Sequence, residues 1–147
     1  MDLQNLHIRW AIRNDLPQMQ KIDELNFEYP WEEDDFTYCL HQRNNIGLVV
    51  ELEEKIIGYI MYVLEKTHYT ILTIAVHPAY HRQGVGRTMI QKLEKKLNEK
   101  RRKIKLRVPE TNLPALLFFQ GTGFFATKIL KSRSKLASDY VLMDLTA

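Results

Sequence analysis

The sequence predicts one mixed α/β domain over residues 1–147, of the α+β kind, with a mostly antiparallel central sheet of six to seven strands and about four helices. Three observations carry this expectation. Apolar residues recur at every second position in some stretches and at helical spacing in others. Proline, glycine and asparagine fall at the switches between the two periods. A chain of 147 residues is long enough for one real core and too short for two comfortable ones.

Taken in order, His7 to Ile12 alternates as a strand, and Asn14 or Asp15 is placed to cap a helix reaching Asn26, with Leu16, Met19, Ile22 and Leu25 along one side. Pro30 breaks the chain. A short helix is expected from Glu32 to His41, carrying Phe36, Cys39 and Leu40. Its acidic cluster Glu32-Glu33-Asp34-Asp35 suits a helix first turn, or a mouth that attracts an amine. Strands follow at Ile46 to Leu52 and Lys55 to Leu64, joined as a hairpin at Glu53-Glu54, and then at Tyr69 to Val76. Past Gly84 a helix brings Val85, Met89, Ile90, Leu93 and Leu97 to one face. Lys103 to Val108 alternates again, and Asn112 with Pro114 opens a helix that Gly121 and Gly123 close. Phe124 to Leu130 and Tyr140 to Leu145 complete the sheet around the polar loop Lys131-Ser132-Arg133-Ser134-Lys135. Of Phe118, Phe119, Phe124 and Phe125, all except Phe119 are expected to pack against the sheet.

With 45% hydrophobic and 27% charged residues the composition is globular, and no apolar run approaches the roughly 20 residues that cross a bilayer. Met1-Asp2-Leu3-Gln4-Asn5 lacks the basic start and apolar stretch of a secretory signal. The single cysteine, Cys39, has no partner for a disulfide or a metal cluster. The expectation is a cytoplasmic protein with no metal and no membrane partner. Net charge is +3, yet nine cations lie between Lys92 and Arg107. They suit an anionic partner, or a solvated helix face whose lysines offset the C-terminal dipole. No aromatic residues interleave with them, so direct nucleic-acid binding is not expected.

The most informative stretch runs from Val76 to Thr88, where an alternating run passes through Arg82-Gln83-Gly84-Val85-Gly86 into the start of a helix. Unpaired N–H groups there, beside the positive end of the helix dipole, hold an anion, most often a phosphate. The lysine of a nucleotide-triphosphate loop is missing, and so are the third glycine and acidic ribose ligand of a dinucleotide fold.

This strand, loop and helix resemble the GNAT superfamily of N-acetyltransferases, whose pyrophosphate loop carries Gln/Arg-x-x-Gly-x-Gly/Ala. The pattern falls on His81, Gly84 and Gly86, with His81 in place of Gln or Arg. Asn112 to Phe124 is similar to the superfamily's Asn-x-x-Ala-x-x-Leu-Tyr-x-x-x-Gly-Phe segment. Tyr29-Pro30-Trp31 followed by Phe36 resembles the Phe-Pro-Trp segment of the bacterial ribosomal-protein alanine N-acetyltransferases. The resemblance implies a GNAT fold, splayed between its fourth and fifth strands, with acetyl-CoA in the gap. It implies that main-chain groups of Ile74 and Val76 pair with the pantetheine arm and that phosphates sit on the loop of Arg82, Gln83, Gly84, Val85, Gly86, Arg87 and Thr88. His81 joins them through phosphate, the side chains of Arg87 and Thr88 add contacts, and Asn112 and Phe119 lie at the cofactor.

Two positions depart from the family. Phe119 stands where relatives place a tyrosine that protonates the leaving thiolate, and Arg107 where alanine N-acetyltransferases carry a glutamate base. The catalytic residues therefore stay unassigned. Thr70 on the fourth strand positions water, Glu110 offers a carboxylate or is merely solvated, and Tyr140 offers a phenol or packs a strand end. Trp31, with Tyr29, fits the lip of a substrate groove or staples the two flanking helices. Three activities remain open: acetyl-CoA-dependent transfer to a protein or peptide N-terminal α-amine, which is preferred; transfer to a small amine; and weak or absent catalysis by an acyl-CoA-binding module. A monomer or a homodimer serves any of these.

Overall fold

Among the described residues, the alternating and helical stretches become seven strands and four helices. They are β1 (His7–Trp10), α1 (Leu16–Asn26), α2 (Glu33–Leu40), β2 (Asn45–Leu52), β3 (Lys55–Leu64), β4 (His68–Val76), α3 (Val85–Glu94), β5 (Lys103–Pro109), α4 (Leu113–Gly121), β6 (Phe125–Leu130) and β7 (Tyr140–Thr146). The computed structural model describes residues 3–134 and 136–147. Met1 and Asp2 of the N-terminal segment and Lys135 of the polar loop lie outside the described residues. The sheet runs β1-β2-β3-β4-β5-β7-β6, with every neighbouring pair antiparallel except β4 and β5. This is the mixed fold expected from the sequence. No helix among the described residues is long and apolar enough to cross a membrane.

Local chemistry explains most boundaries. The β2–β3 hairpin turns on Glu53 and Glu54 at φ 50 and 69, a left-handed pair of the kind that matches the twist of hairpin strands. Asp15 departs from expectation: its side chain makes no bond to the helix ahead and instead accepts from Ile12 N (2.8 Å) and from Arg9 Nη1 and Nη2 (2.8 and 2.9 Å). Pro17 sits at the second helical position and has no N–H to offer a cap. Leu25 is exposed, and Asp23 takes the buried place on α1. The helix after Gly84 stops at Glu94, where Lys96 N→Leu93 O and Leu97 N→Glu94 O tighten the chain, although Leu97 still packs on the core.

Two apolar clusters lie on opposite sides of the sheet. One joins Val85, Met89, Ile90 and Leu93 of α3 and Phe119 of α4 to Ile104, Leu106, Val108, Val141, Met143 and Leu145. The other joins Leu16, Met19 and Ile22 of α1 and Phe36 of α2 to residues of β2, β3 and β4. No residue of β5, β6 or β7 belongs to the second cluster, so helices cover both faces of only half the sheet. The phenylalanines correct the expected packing: Phe119 and Phe124 are buried, whereas Phe118 and Phe125 are 37% and 49% exposed. Phe125 opens β6, an edge strand whose six residues are all exposed.

Strands β4 and β5 touch only at His68↔Lys103, Tyr69↔Ile104 and Thr70↔Lys105. Immediately beyond, Tyr62 opposes Ile71 and Met61 opposes Thr73, leaving Leu72 as a bulge in β4. A bulge bends its strand and raises the local twist. The two strands part there, and a V-shaped gap opens between the ends of β4 and β5.

Candidate active site

At the mouth of the gap, a single helical turn at Pro78–Tyr80 leads from β4 into the glycine loop. Arg82 and Gly84 both take left-handed backbone angles, φ 62 and 88. A Cβ on Gly84 would meet only the Leu3 side chain, at 3.4 Å and 3.8 Å, so backbone angle and not space calls for glycine. Thr88 is the first residue to close α3, donating to Gly84 O from both N (3.0 Å) and Oγ1 (2.8 Å). The N–H groups of residues 82–87 have no acceptor among the described residues. Consecutive free donors at a helix N-terminus form a concavity for an anion.

Three side chains expected to contact phosphate are engaged elsewhere. His81 Nε2 lies 2.7 Å from Val76 O, Arg87 Nη2 donates to Gly121 O (2.8 Å), and Thr88 Oγ1 bonds Gly84 O. Gln83 Nε2 likewise donates to Ala79 O (3.4 Å), so anion binding at this loop is left to the backbone and to the exposed Arg82. Gly86 serves packing, because a Cβ there would lie 2.8 Å from Phe118 Cζ on α4.

The main-chain phase of β4 follows from His77 N→Ile57 O (2.8 Å). In that antiparallel register Ala75 and Thr73 bond β3, and Ile74 and Val76 turn their N–H and C=O groups toward the gap. Val76 O is already taken by His81 and by Asn26 Nδ2 (3.0 Å), which anchors the end of α1. Asn112 caps α4, its Oδ1 accepting from Ala115 N (3.2 Å), while its Nδ2 has no partner among the described residues.

Because Ile104, Leu106 and Val108 face the α3 cluster, Lys105 and Arg107 face the opposite side. Thr70 lies there at the point of the V, beside Lys105. Tyr140 joins them, its ring centroid 5.0 Å from Arg107 Cζ. Thr70, Arg107 and Tyr140 thus share one face. Glu110 is exposed beyond β5, its N–H bonded to Asp139 O (2.9 Å).

Sequence reasoning missed Asp23. Its buried carboxylate accepts from Trp31 N (2.7 Å) and from the Tyr59 hydroxyl, which also lies 3.0 Å from Thr73 Oγ1. Burial pushes the Asp23 carboxyl above the usual range against the pull of its two hydrogen bonds, and burial with the nearby Asp23 raises the Tyr59 phenol. The signal was Tyr59, a phenol on a buried strand that needed a partner. Trp31 packs its ring on Phe36 (5.1 Å), which meets Tyr59 edge-on (5.4 Å). Trp31 therefore staples α1 to α2, and Tyr29 beside it is 85% exposed.

A sheet split between its two parallel strands, with an anion cradle at the mouth of the split, defines an acetyltransferase class of fold. The family model for the acetyltransferase (GNAT) family matches residues 16–124. The [ribosomal protein bS18]-alanine N-acetyltransferase of Escherichia coli is 31% identical over 113 residues, covering 75% of this chain and 74% of that protein. The crystal structure of that enzyme superimposes with a TM-score of 0.83 at 23% identity, covering 96% of this chain and 93% of the other. Arabidopsis thaliana NAA60 in complex with acetyl-CoA superimposes with a TM-score of 0.81 at 17% identity, covering 96% and 98%. The YqkA protein of Bacillus subtilis is 33% identical over 78 residues, and the chain spans only 22% of its length. The chain belongs to the acetyltransferase (GNAT) family and is an N-acetyltransferase.

Proposed function

We propose that this protein transfers the acetyl group of acetyl-CoA to the N-terminal α-amine of a protein or peptide, in the cytoplasm. The observation that carries the reading is the run of N–H groups at residues 82–87 with no acceptor among the described residues, at the mouth of the β4–β5 gap. A pyrophosphate suits that run, since backbone donors and the α3 dipole both favour negative charge. The open edge of β4 at Ile74 and at the Val76 N–H suits the amides of a pantetheine arm, added in the manner of a strand. Asn112 Nδ2 suits a carbonyl of that arm, and Phe119 packs α4 against the core beside it. When bound, acetyl-CoA supplies the thioester carbon that accepts the amine.

An amine attacks only in its neutral form. Lys105 and Arg107 border the gap, and nearby positive charge favours loss of a proton from an incoming ammonium. That proton leaves through water, which Thr70 is placed to hold. Tyr140 offers a hydroxyl proton on the same face for the departing thiolate. The α1–α2 connection, with Trp31 locked by Asp23 and Tyr29 exposed, forms the acceptor-side wall.

Release of free thiol from acetyl-CoA, measured with panels of peptides and of small amines, tests this. Turnover on peptides with free N-termini, exceeding that on polyamines and amino acids, is expected. Turnover confined to small amines would assign the acceptor otherwise, and tight cofactor binding with no turnover would leave a binding module.

A further inference from the structure

Alternation in β5 places Lys103, Lys105 and Arg107 on the side of the sheet away from the α3 cluster. Lys128 of β6 joins them, because it pairs with Leu142, the cross-strand partner of Arg107. The acidic residue on this face is Asp144, 7% exposed and within 3.8 Å of Lys103 Nζ. No residue of α1 or α2 packs on these strands as part of the cluster that covers β2 to β4. Successive same-face residues on a strand stand only about 7 Å apart, so like charges there repel and weaken the sheet that carries them. Arg107 relieves this only by lying over the Tyr140 ring.

We infer that this uncovered face of β5, β7 and β6 selects an acceptor whose chain carries carboxylates shortly after its reactive amine. The inference rests on the proposed acetyl transfer for its placement, since the face begins at the Thr70↔Lys105 pair where the gap opens. An ammonium alone is repelled by Lys105 and Arg107, and carboxylates farther along the same chain offset that repulsion. An extended acidic peptide can follow β5 outward, meeting a cation on every second residue. A peptide is favoured over a nucleic acid because Arg107 lies over the Tyr140 ring, which leaves that aromatic unavailable to stack a base, and the apolar Leu142 lies beside it.

The test is direct binding, read by fluorescence anisotropy, of dye-labelled peptides that share one N-terminal residue and continue with aspartates, asparagines or lysines. Expected is binding of the aspartate peptide about tenfold or more above the asparagine peptide, falling as salt rises from about 50 to about 200 mM. Lys105→Glu with Arg107→Glu should abolish or invert the preference. If that pair fails to fold, Lys128→Glu at the exposed edge should still lower aspartate-peptide affinity about two- to threefold. Equal binding of aspartate and asparagine peptides would overturn the inference, as would a preference that survives charge reversal in folded protein. Single-stranded RNA binding as tightly as the aspartate peptide would reassign the face to nucleic acid. Selective binding without thiol release would contradict the proposed acetyl transfer and leave the charge selection standing, whereas thiol release indifferent to peptide charge would do the reverse.

Discussion

Gly86 on α3 and Phe118 on α4 are packed so closely that a Cβ on the glycine would lie 2.8 Å from Cζ and 3.0 Å from Cε1 of the ring. The second glycine of the loop motif therefore fits two helices together, and Gly84 alone shapes the loop backbone. Gly86→Ala gains helix propensity, about 0.5–1 kcal/mol, but must displace the Phe118 ring at a cost of about 1–3 kcal/mol. Net destabilisation is expected in urea titrations. In a Phe118→Ala background the same change should become stabilising, and the reversal of sign identifies the contact.

The β2–β3 turn holds Glu53 and Glu54 at left-handed angles that asparagine and glycine adopt at lower cost. Replacing the pair with Asn-Gly should raise stability by about 1 kcal/mol and leave thiol release unchanged. A lower denaturation midpoint would show that the turn is relaxed as it stands.

Two buried carboxylates make opposite pH predictions. Arg9 hydrogen bonds hold Asp15 below the ordinary value of 3.8, so its stabilisation is present above that pH and is lost as pH falls through the folded value. Asp15→Asn should cost about 2 kcal/mol at neutral pH, and the gap to wild type should close in acid. Burial raises Asp23, so its contribution is full below the unfolded value and shrinks as pH rises through the folded one. Against Asp23→Asn, the wild type should lose ground as pH rises above 3.8 and through the raised folded value. Chemical denaturation from acid well below pH 3.8 up to neutral pH checks both signs.

What was legible in the chain was what local chemistry writes there. Alternation in β3 and β4 and the apolar stripe of α3 carry the fold, and Gly84 at a helix start carries the anion cradle. The cap at Asp15 was misplaced because Arg9 and Ile12 N engage its carboxylate, and Pro17, two residues on, offers no donor. The roles of Phe118 and Phe119 were exchanged because α4 is apolar all round, with Leu116 and Leu117 beside them, so periodicity selects no face. Lys103, Lys105 and Arg107 merged into a run of cations that begins on α3. Only the topology, which leaves β5, β6 and β7 without a helix on one side, separates them as a surface of their own. The Asp23, Tyr59 and Thr73 network joins α1, β3 and β4, and its one local sign is the Tyr59 phenol in a buried strand, which does not name its partner.

The backbone cradle itself is tested most directly by amide NMR of labelled protein titrated with acetyl-CoA. The N–H resonances of residues 82–87, which have no acceptor among the described residues, should move downfield as they gain charged phosphate partners, with Ile74 and Val76 following. Saturable binding that leaves the 82–87 amides in place while resonances elsewhere shift would contradict the assignment of this loop as the pyrophosphate site.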